Sequence, residues 1–431
     1  MRKHVDPGKI PFKVQAIAST LRDSGATPLI VGGPVRDVLL GKQPQDWDIA
    51  VNMDPQEILQ VFPAACTVGI EFGRVSVGDV DVVSLRAEKD YRDKRHPSQV
   101  MFGVPLEKDL ERRDFTINAM AWDPFTGEIF DPFGGIKDLE RKALVCVGNA
   151  RERFEEDPLR ILRAVRFKTC MGLNLDGEVV EAICASKHLL SQVSGERVFA
   201  ELRRILVSPS VYQGITDLYG YGLSAIVLPE VDKAPDQAAA GVSVCHSDLA
   251  ARLAVLLGIT ETGIDEVKTR FNLPLALAKE IEWLVLNCDP QIILDNRSLP
   301  KGRSGLWKQS HGYNNDPGYL ARRIVYHWGA RQLERLMEVK RAIWLGLGNS
   351  GLPAGYLFLA AGHWLMLQSD CQDFMDIALD GNEIMGLLDV EQGQLIGEAL
   401  EYLEDVVLQN PELNKKQALS QILLEWWSKR T

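Results

Sequence analysis

The residues able to do chemistry are concentrated in three short stretches, GGPVRDVLLGKQPQDWD at 32–48, RRDFTINAMA at 112–121 and EDPLRILRAVRF at 156–167. In the first, the apolar run Pro28-Leu29-Ile30-Val31 ends at Gly32-Gly33, and an amphipathic segment carrying Val35, Val38, Leu39 and Leu40 follows as far as Gly41. That pattern predicts a strand, a tight turn and a short helix. Glycine lets the backbone approach a ligand closely, and a helix start offers unpaired N–H groups. Gly32 and Gly33 are therefore candidates for holding a triphosphate, with Arg36 adding charge-assisted hydrogen bonds.

The acidic end of the same stretch, Asp46-Trp47-Asp48-Ile49-Ala50-Val51, alternates in the manner of a strand. Residues two apart then point the same way, so Asp46 and Asp48 aim at one point while Trp47 and Ile49 face the other side. Two carboxylates that close call for a cation. Hard oxygen ligands suit Mg²⁺, which takes one or two protein carboxylates and fills its remaining positions with water and substrate phosphates. Two such ions would activate a sugar hydroxyl and stabilise a leaving pyrophosphate in line with it. A third carboxylate is expected from a neighbouring strand. Val80-Asp81-Val82-Val83 supplies Asp81, with Asp79 as the alternative. Taken without the glycine turn, Asp46 and Asp48 read rather as loop acids after Gln43-Pro44-Gln45, and the turn reverses that reading.

The middle stretch sets Arg112, Arg113 and Asp114 before an apolar end, Phe115 to Ala121, that could pack as a strand. On its own it also fits a surface ion pair of little energetic weight. In the third stretch, Asp157-Pro158 opens a predicted helix through Leu159, Ile161, Leu162, Val165 and Phe167, and Asp157 could simply cap it. Arg160, Arg163 and Arg166 recur every third residue. At about 100° per residue each steps back by roughly 60°, which leaves Asp157 beside Arg160 and far from Arg166.

Taken together, GGxVRD, a DxD ten residues past its arginine, RRDFTINAMA and EDxxRxxRAxRF resemble the class II tRNA nucleotidyltransferases. These are the CCA-adding enzymes, with the bacterial poly(A) polymerases as relatives, and their catalytic core is similar to the DNA polymerase beta superfamily. The resemblance implies an α+β protein, a small mixed α/β nucleotidyltransferase head followed by all-α neck, body and tail domains. Boundaries are expected at 1–142 (head), 143–230 (neck, reading the base and primer end), 231–350 (body) and 351–431 (tail, binding tRNA). It implies template-independent addition of C, C and A to the 3′ end of tRNA from CTP and ATP, with Mg²⁺ and release of pyrophosphate. An A-adding enzyme or a poly(A) polymerase is the rival. A catalytically inactive tRNA-binding protein is the rival of another class, against which the intact Asp46, Asp48, Arg113 and Arg160 speak.

Residue by residue, the resemblance gives Asp46 and Asp48 the metals, with Asp81 as a further catalytic candidate. Gly32, Gly33 and Arg36 fall to the nucleotide. Arg113 and Asp114 face the ribose, where Asp114 can accept from a 2′-hydroxyl and Arg113 can donate. Asp157 and Arg160 read the incoming base by presenting an acceptor beside a fork of donors, and Arg163 and Arg166 lie along the nucleotide and primer end. The charged segment 86–100 has no apolar period and reads as a mobile surface loop. It resembles the loop that enzymes able to switch from C to A require, and argues against addition of C alone. Ser194 to Leu206 matches the family's last core motif, an amphipathic helix supporting the base-reading one.

The rest of the chain bounds these expectations. With 431 residues and 46% hydrophobic content, several domains with real cores are expected. No signal peptide or membrane-spanning run is read, and the seven cysteines are scattered without a zinc pattern, which suits reduced thiols and a cytoplasmic location. Cys245-His246-Ser247-Asp248 lacks partner histidines and reads as helix packing rather than a phosphohydrolase site. Net charge is −11, so RNA binding must rest on local basic surface. The candidates are 151–168, 197–204, and Lys301, Arg303, Lys308, Arg322 and Arg323. After about residue 142 the text turns helical, with breaks at 229–241, 296–317 and 348–353. The stretch from Asp376 to Met385, with Gly393 and Leu413-Asn414-Lys415 beyond it, resembles the tRNA-contacting tail of CCA-adding enzymes. Oligomeric state is not legible.

Overall fold

The computed structural model describes residues 4–91, 97–246, 248–287, 317–351, 360 and 374–430. The chain divides into two units, Met1–Pro229 and Glu230–Thr431. The first carries a six-stranded mixed sheet built from β1 (Leu29–Val31), β2 (Trp47–Val51), β3 (Arg74–Val77), β4 (Val80–Ser84), β7 (Ala121–Trp122) and β8 (Ile129–Phe130). Its order is β3-β4-β2-β1-β7-β8, and only β2 and β4 run parallel. A separate antiparallel hairpin is formed by β5 (Arg86–Tyr91) and β6 (Pro97–Phe102).

Alternation along β2 decides which residues reach the site. Trp47, Ile49 and Val51 are buried on one face. Ala50 faces the other way, into a core with Leu29, Val31, Leu85, Leu110, Ala119, Ala121 and Val147. Asp48 is two residues before Ala50 and shares its face, so it stands where that core ends. The pattern WDIAV thus holds a carboxylate at the rim of a buried sheet, with each buried aliphatic side chain contributing about 1.5–3 kcal/mol to fixing it there.

The strand, turn and helix expected at 28–41 are present as β1, Gly32 and the helix Gly33–Leu39. Gly32 has φ 77° and ψ −127°, and a Cβ there would lie 2.7 Å from Arg113 Nη1, so no other residue fits the turn.

Several local readings are corrected. Asp46 lies in a bend one residue before β2 rather than within it, and is exposed. Within RRDFTINAMA only Ala121 joins a strand; Thr116–Asn118 is a single 3-10 turn, because Thr116 is tied to Asp138 by its hydroxyl (2.6 Å) and to the Val145 carbonyl by its N–H (2.9 Å). The segment 86–100 is largely the β5–β6 hairpin, since backbone pairing does not require an apolar face; 92–96 lie outside the described residues. The supposed break at 229–241 holds the helices Glu230–Lys233 and Pro235–Val244.

The third stretch forms the helix Leu159–Met171, burying Leu159, Ile161, Leu162, Val165 and Phe167 and ending at Gly172 in the left-handed region (φ 66°). Asp157 sits between it and the preceding helix Ala150–Glu156. The expected amphipathic helix is Gly195–Leu206.

The second unit is helical throughout its described residues. Pro235–Val244 and Ala330–Gly346 touch through glycine: a Cβ on Gly346 would lie 2.8 Å from the Gly241 Cα. Asp248 caps the helix Leu249–Thr260 by accepting from the Ala251 N–H (2.8 Å), as the helix-packing reading expects. A second core gathers Leu320, Ile324, Leu333, Phe374, Ile384, Leu403, Val407, Leu419 and Leu423. In the tail, Asp380 and Glu383 form a capping box on Gly381–Leu388. Arg322 and Arg323 are not surface cations: both are buried, Arg322 donating to the carbonyls of Leu408 (2.7 Å) and Gln409 (3.2 Å) and Arg323 to the Tyr319 hydroxyl (3.2 Å). Lys301, Arg303 and Lys308 lie outside the described residues. Among the described residues no helix is long and apolar enough to cross a membrane.

Candidate functional site

One cleft of about 420 Å³ in the first unit gathers residues from all three stretches. Gly32, Gly33, Arg36, Asp48, Arg113, Asp114, Asp157, Arg160, Arg163 and Arg166, all candidates from sequence, line it. Asp46 and Asp81 are not on its wall, although both are near enough to Asp48 to act on its charge. Five polar or aromatic lining residues were not among the candidate nucleotide-site residues: Arg112, Asn118, Phe167, Arg197 and Arg204. Arg197 and Arg204 were legible as one face of Gly195–Leu206, seven residues apart, but nothing local said which neighbour that face would meet.

Eight arginines and three aspartates line the cleft, so its wall is rich in cationic donors within a chain of net charge −11. Most of these cations are held in place by partners. Arg36 donates to Asp37 (2.9 Å) and to Asn118 Oδ1 (2.6 Å). Arg113 is paired with the buried Asp109 at 3.1 Å. Arg160 is braced by Glu156 (2.8 Å) and by the carbonyls of Arg153 (3.1 Å) and Arg112 (3.0 Å). Arg163 is paired with Asp114 through Nε at 2.8 Å, and Arg166 with the buried Glu201. The Phe167 ring lies under Arg166 at 4.1 Å, with Arg36 at 5.3 Å and Arg163 at 5.7 Å. Guanidinium groups held in this way lose little freedom when an anion arrives.

Asp157 accepts from the Leu159 N–H (3.2 Å) and from Arg197 (2.9 Å), so it caps the helix and faces the cleft at once. Its partner is Arg197, forty residues on, and not Arg160. Asp114 is buried, and four donors occupy its carboxylate: the Phe115 N–H (2.8 Å), Asn118 Nδ2 (3.0 Å) and two N–H groups of Arg163. Burial alone would raise its pKa; the Arg163 charge, the Asn118 hydrogen bond and the Arg160 charge outweigh that and bring it to about 2.

At the sheet rim the electrostatics reverse. Asp48 pairs in register with Asp81 across the parallel strands. Burial raises the Asp48 pKa; Arg113 and Arg74 oppose, while Asp81 and Asp46 add to the rise. Asp81 is occupied by Arg74 (2.8 Å) and by the Ser76 hydroxyl (2.6 Å). Asp79, the alternative, sits in the β3–β4 turn paired with Lys13 and away from the cleft. Among the described residues no group of three or more His, Cys, Asp or Glu side chains is placed to hold a metal ion. The half-buried Asp48, flanked by two carboxylates, nevertheless fits a hard divalent cation that takes its other ligands from water and phosphate.

A carboxylate at the rim of a mixed sheet, opening on an arginine-walled cleft behind a glycine turn, is the arrangement that nucleotidyl transfer requires. A family model for the poly A polymerase head domain matches residues 29–145, and one for a probable RNA and SrmB-binding site of polymerase A matches 172–234. The CCA-adding enzyme of Lactococcus lactis subsp. lactis is 31% identical over 420 residues, covering 95% of this chain and 96% of that one. That of Streptococcus pyogenes serotype M2 is 42% identical over 208 residues, 47% of this chain and 52% of its own. Among solved structures, the Bacillus stearothermophilus CCA-adding enzyme in complex with CTP superposes with a TM-score of 0.71 at 26% identity, covering 98% of this chain and 99% of that one. The chain belongs to the CCA-adding enzyme family. Nucleotidyltransferases of this family use divalent metal ions.

Proposed function

We propose that this chain is a cytoplasmic enzyme that adds C, C and A to the 3′ end of tRNA from CTP and ATP, releasing pyrophosphate. The observation that carries the reading is that one cleft holds both Asp48 and Asp157 with Arg160 and Arg163 of the helix Leu159–Met171. A site for phosphoryl chemistry and a site for choosing a base are thereby one site, with no nucleic-acid template needed between them.

In this reading the triphosphate lies against the backbone of Gly32-Gly33, with Arg36 donating to it. Asp157 and Arg160 present an acceptor and donors to the base edge; cytosine and adenine both carry an exocyclic amine beside a ring acceptor, so one pair of groups serves both. Arg113 faces the ribose. Asp114, its carboxylate already committed, acts on the ribose side chiefly by holding Arg163. Arg166 and Arg204 extend the positive wall towards the primer phosphates. Asp46 and Asp48 would hold Mg²⁺, with Asp81 behind them. When bound there, Mg²⁺ supplies activation of the 3′-hydroxyl and neutralises charge on the departing pyrophosphate.

The test is to supply tRNA lacking its last three nucleotides with CTP, ATP or both, and to sequence the products. Completion to CCA only with both nucleotides supports the reading. A run of adenosines would make the chain a poly(A) polymerase, addition of A alone to a tRNA ending in CC an A-adding enzyme, and no extension a binding protein.

A further inference from the structure

We propose that Asn118 is a positioning residue that locks the triphosphate-gripping Arg36 to the Asp114–Arg163 pair, so that the two halves of the cleft present themselves to a nucleotide as one unit. The inference rests on the nucleotide-binding reading above.

Three chain segments are linked through this side chain and Asp114. Arg36 belongs to the helix after the glycine turn, Asp114 to the second stretch and Arg163 to the long helix Leu159–Met171. Asn118 Oδ1 accepts from Arg36 Nη1 at 2.6 Å, and Nδ2 donates to Asp114 Oδ1 at 3.0 Å. An arginine can only donate and a carboxylate can only accept, so the chemistry of the partners fixes which way the amide points. No other short side chain offers an acceptor and a donor on separate atoms at this reach. Aspartate lacks the donor at neutral pH, and serine or threonine has one oxygen for both tasks. The Asn118 backbone carbonyl also accepts from Arg113 Nη1 at 3.4 Å, drawing in the arginine that packs against Gly32.

The residue is itself held. It is buried, it closes the 3-10 turn Thr116–Asn118, and that turn is pinned by the Thr116–Asp138 hydrogen bond of 2.6 Å. Gly135 lets the turn sit close, since a Cβ there would lie 2.2 Å from the Thr116 carbonyl oxygen. A rigid amide between two charged groups fixes their relative orientation before the ligand arrives, which is how a supporting residue acts on affinity.

The experiment is a double-mutant cycle read by calorimetric titration of CTP into the full chain. Asn118→Ala is expected to weaken CTP binding about tenfold in the wild-type background and by less than about twofold in an Arg36→Ala background, because the group it acts through is already gone. Arg36 keeps Asp37, and Asp114 keeps the Phe115 N–H and Arg163, so folding should survive. If Asn118→Ala does not fold, Asn118→Leu fills the same space and lacks both hydrogen-bonding ends, and the cycle is run on it. Equal losses in the two backgrounds, or no loss in the first, would overturn the inference alone. A wild-type chain that does not bind CTP would overturn the functional reading and this inference with it.

Discussion

Asp48 and Asp81 stand opposite each other on the parallel strands β2 and β4, yet they are in different electrostatic states. Asp81 is neutralised by Arg74 at 2.8 Å and steadied by the Ser76 hydroxyl, whereas Asp48 is half-buried with its pKa raised. The pair places a carboxylate destabilised by burial at the cleft with an ion-paired one behind it.

Asp48→Asn is expected to abolish nucleotide addition while raising the melting temperature in chelator at pH 7. A carboxyl whose folded pKa lies above its unfolded one costs stability when ionised; the cost is full above the folded pKa and is gone below the unfolded value. Burial leads the causes of that rise. The gain should therefore be full at neutral pH and fade on acidification, a profile that thermal melts between pH 3 and pH 8 would trace. A variant no more stable than wild type at any pH would remove the claim.

Asp46→Asn and Asp81→Asn should differ. The exposed Asp46 carboxylate is free to serve a cation, and its loss is expected to lower turnover by more than about a thousandfold while tRNA still binds. Asp81 is already occupied, so its loss should cost only about tenfold, near one charge-assisted hydrogen bond of ~1.5 kcal/mol. Single-turnover rates for the two variants decide the order, and the reverse order would shift the metal assignment to Asp81.

Asp114→Asn should destabilise the fold by roughly 2 kcal/mol at pH 7, the linkage value of a carboxyl lowered from 3.8 to about 2. A depressed pKa contributes stability that is fully present above the unfolded value and lost as pH falls through the folded one. Urea melts of wild type and variant should therefore separate at pH 7 and converge between about pH 4 and pH 2. Parallel curves down to pH 2 would mean that the Asp114–Arg163 pair is not what stabilises this wall.

Arg197→Ala should weaken the exclusion of G and U by about tenfold, since it releases Asp157 from the contact that orients it at 2.9 Å. Misincorporation counted by sequencing the extended tRNA is the readout. Unchanged fidelity would leave Asp157 as a helix cap and nothing more.

Much of the site was legible because its signals are local. The strand, glycine turn and helix around Gly32 follow from an apolar run broken by two glycines, and the placement of Asp48 follows from period two along WDIAV. Other features gave no such signal. The β5–β6 hairpin is charged along its length, so its strand pairing left no periodicity to read. Arg322 looks like a surface cation until the carbonyls of Leu408 and Gln409, more than eighty residues away, are brought to meet it.

Residue types and periods along the chain determined the chemistry on offer: acids at the sheet rim, glycines at a turn, and arginines spaced along one helix. Tertiary structure alone decided which acid meets which arginine. Asp157 takes Arg197 and not Arg160, Arg166 takes Glu201, and Arg36 reaches Asp114 only through Asn118. Helical and strand geometry fix the direction of a side chain within its own element. Charge pairing falls off within a few ångströms, so partners are settled only once packing brings distant segments that close.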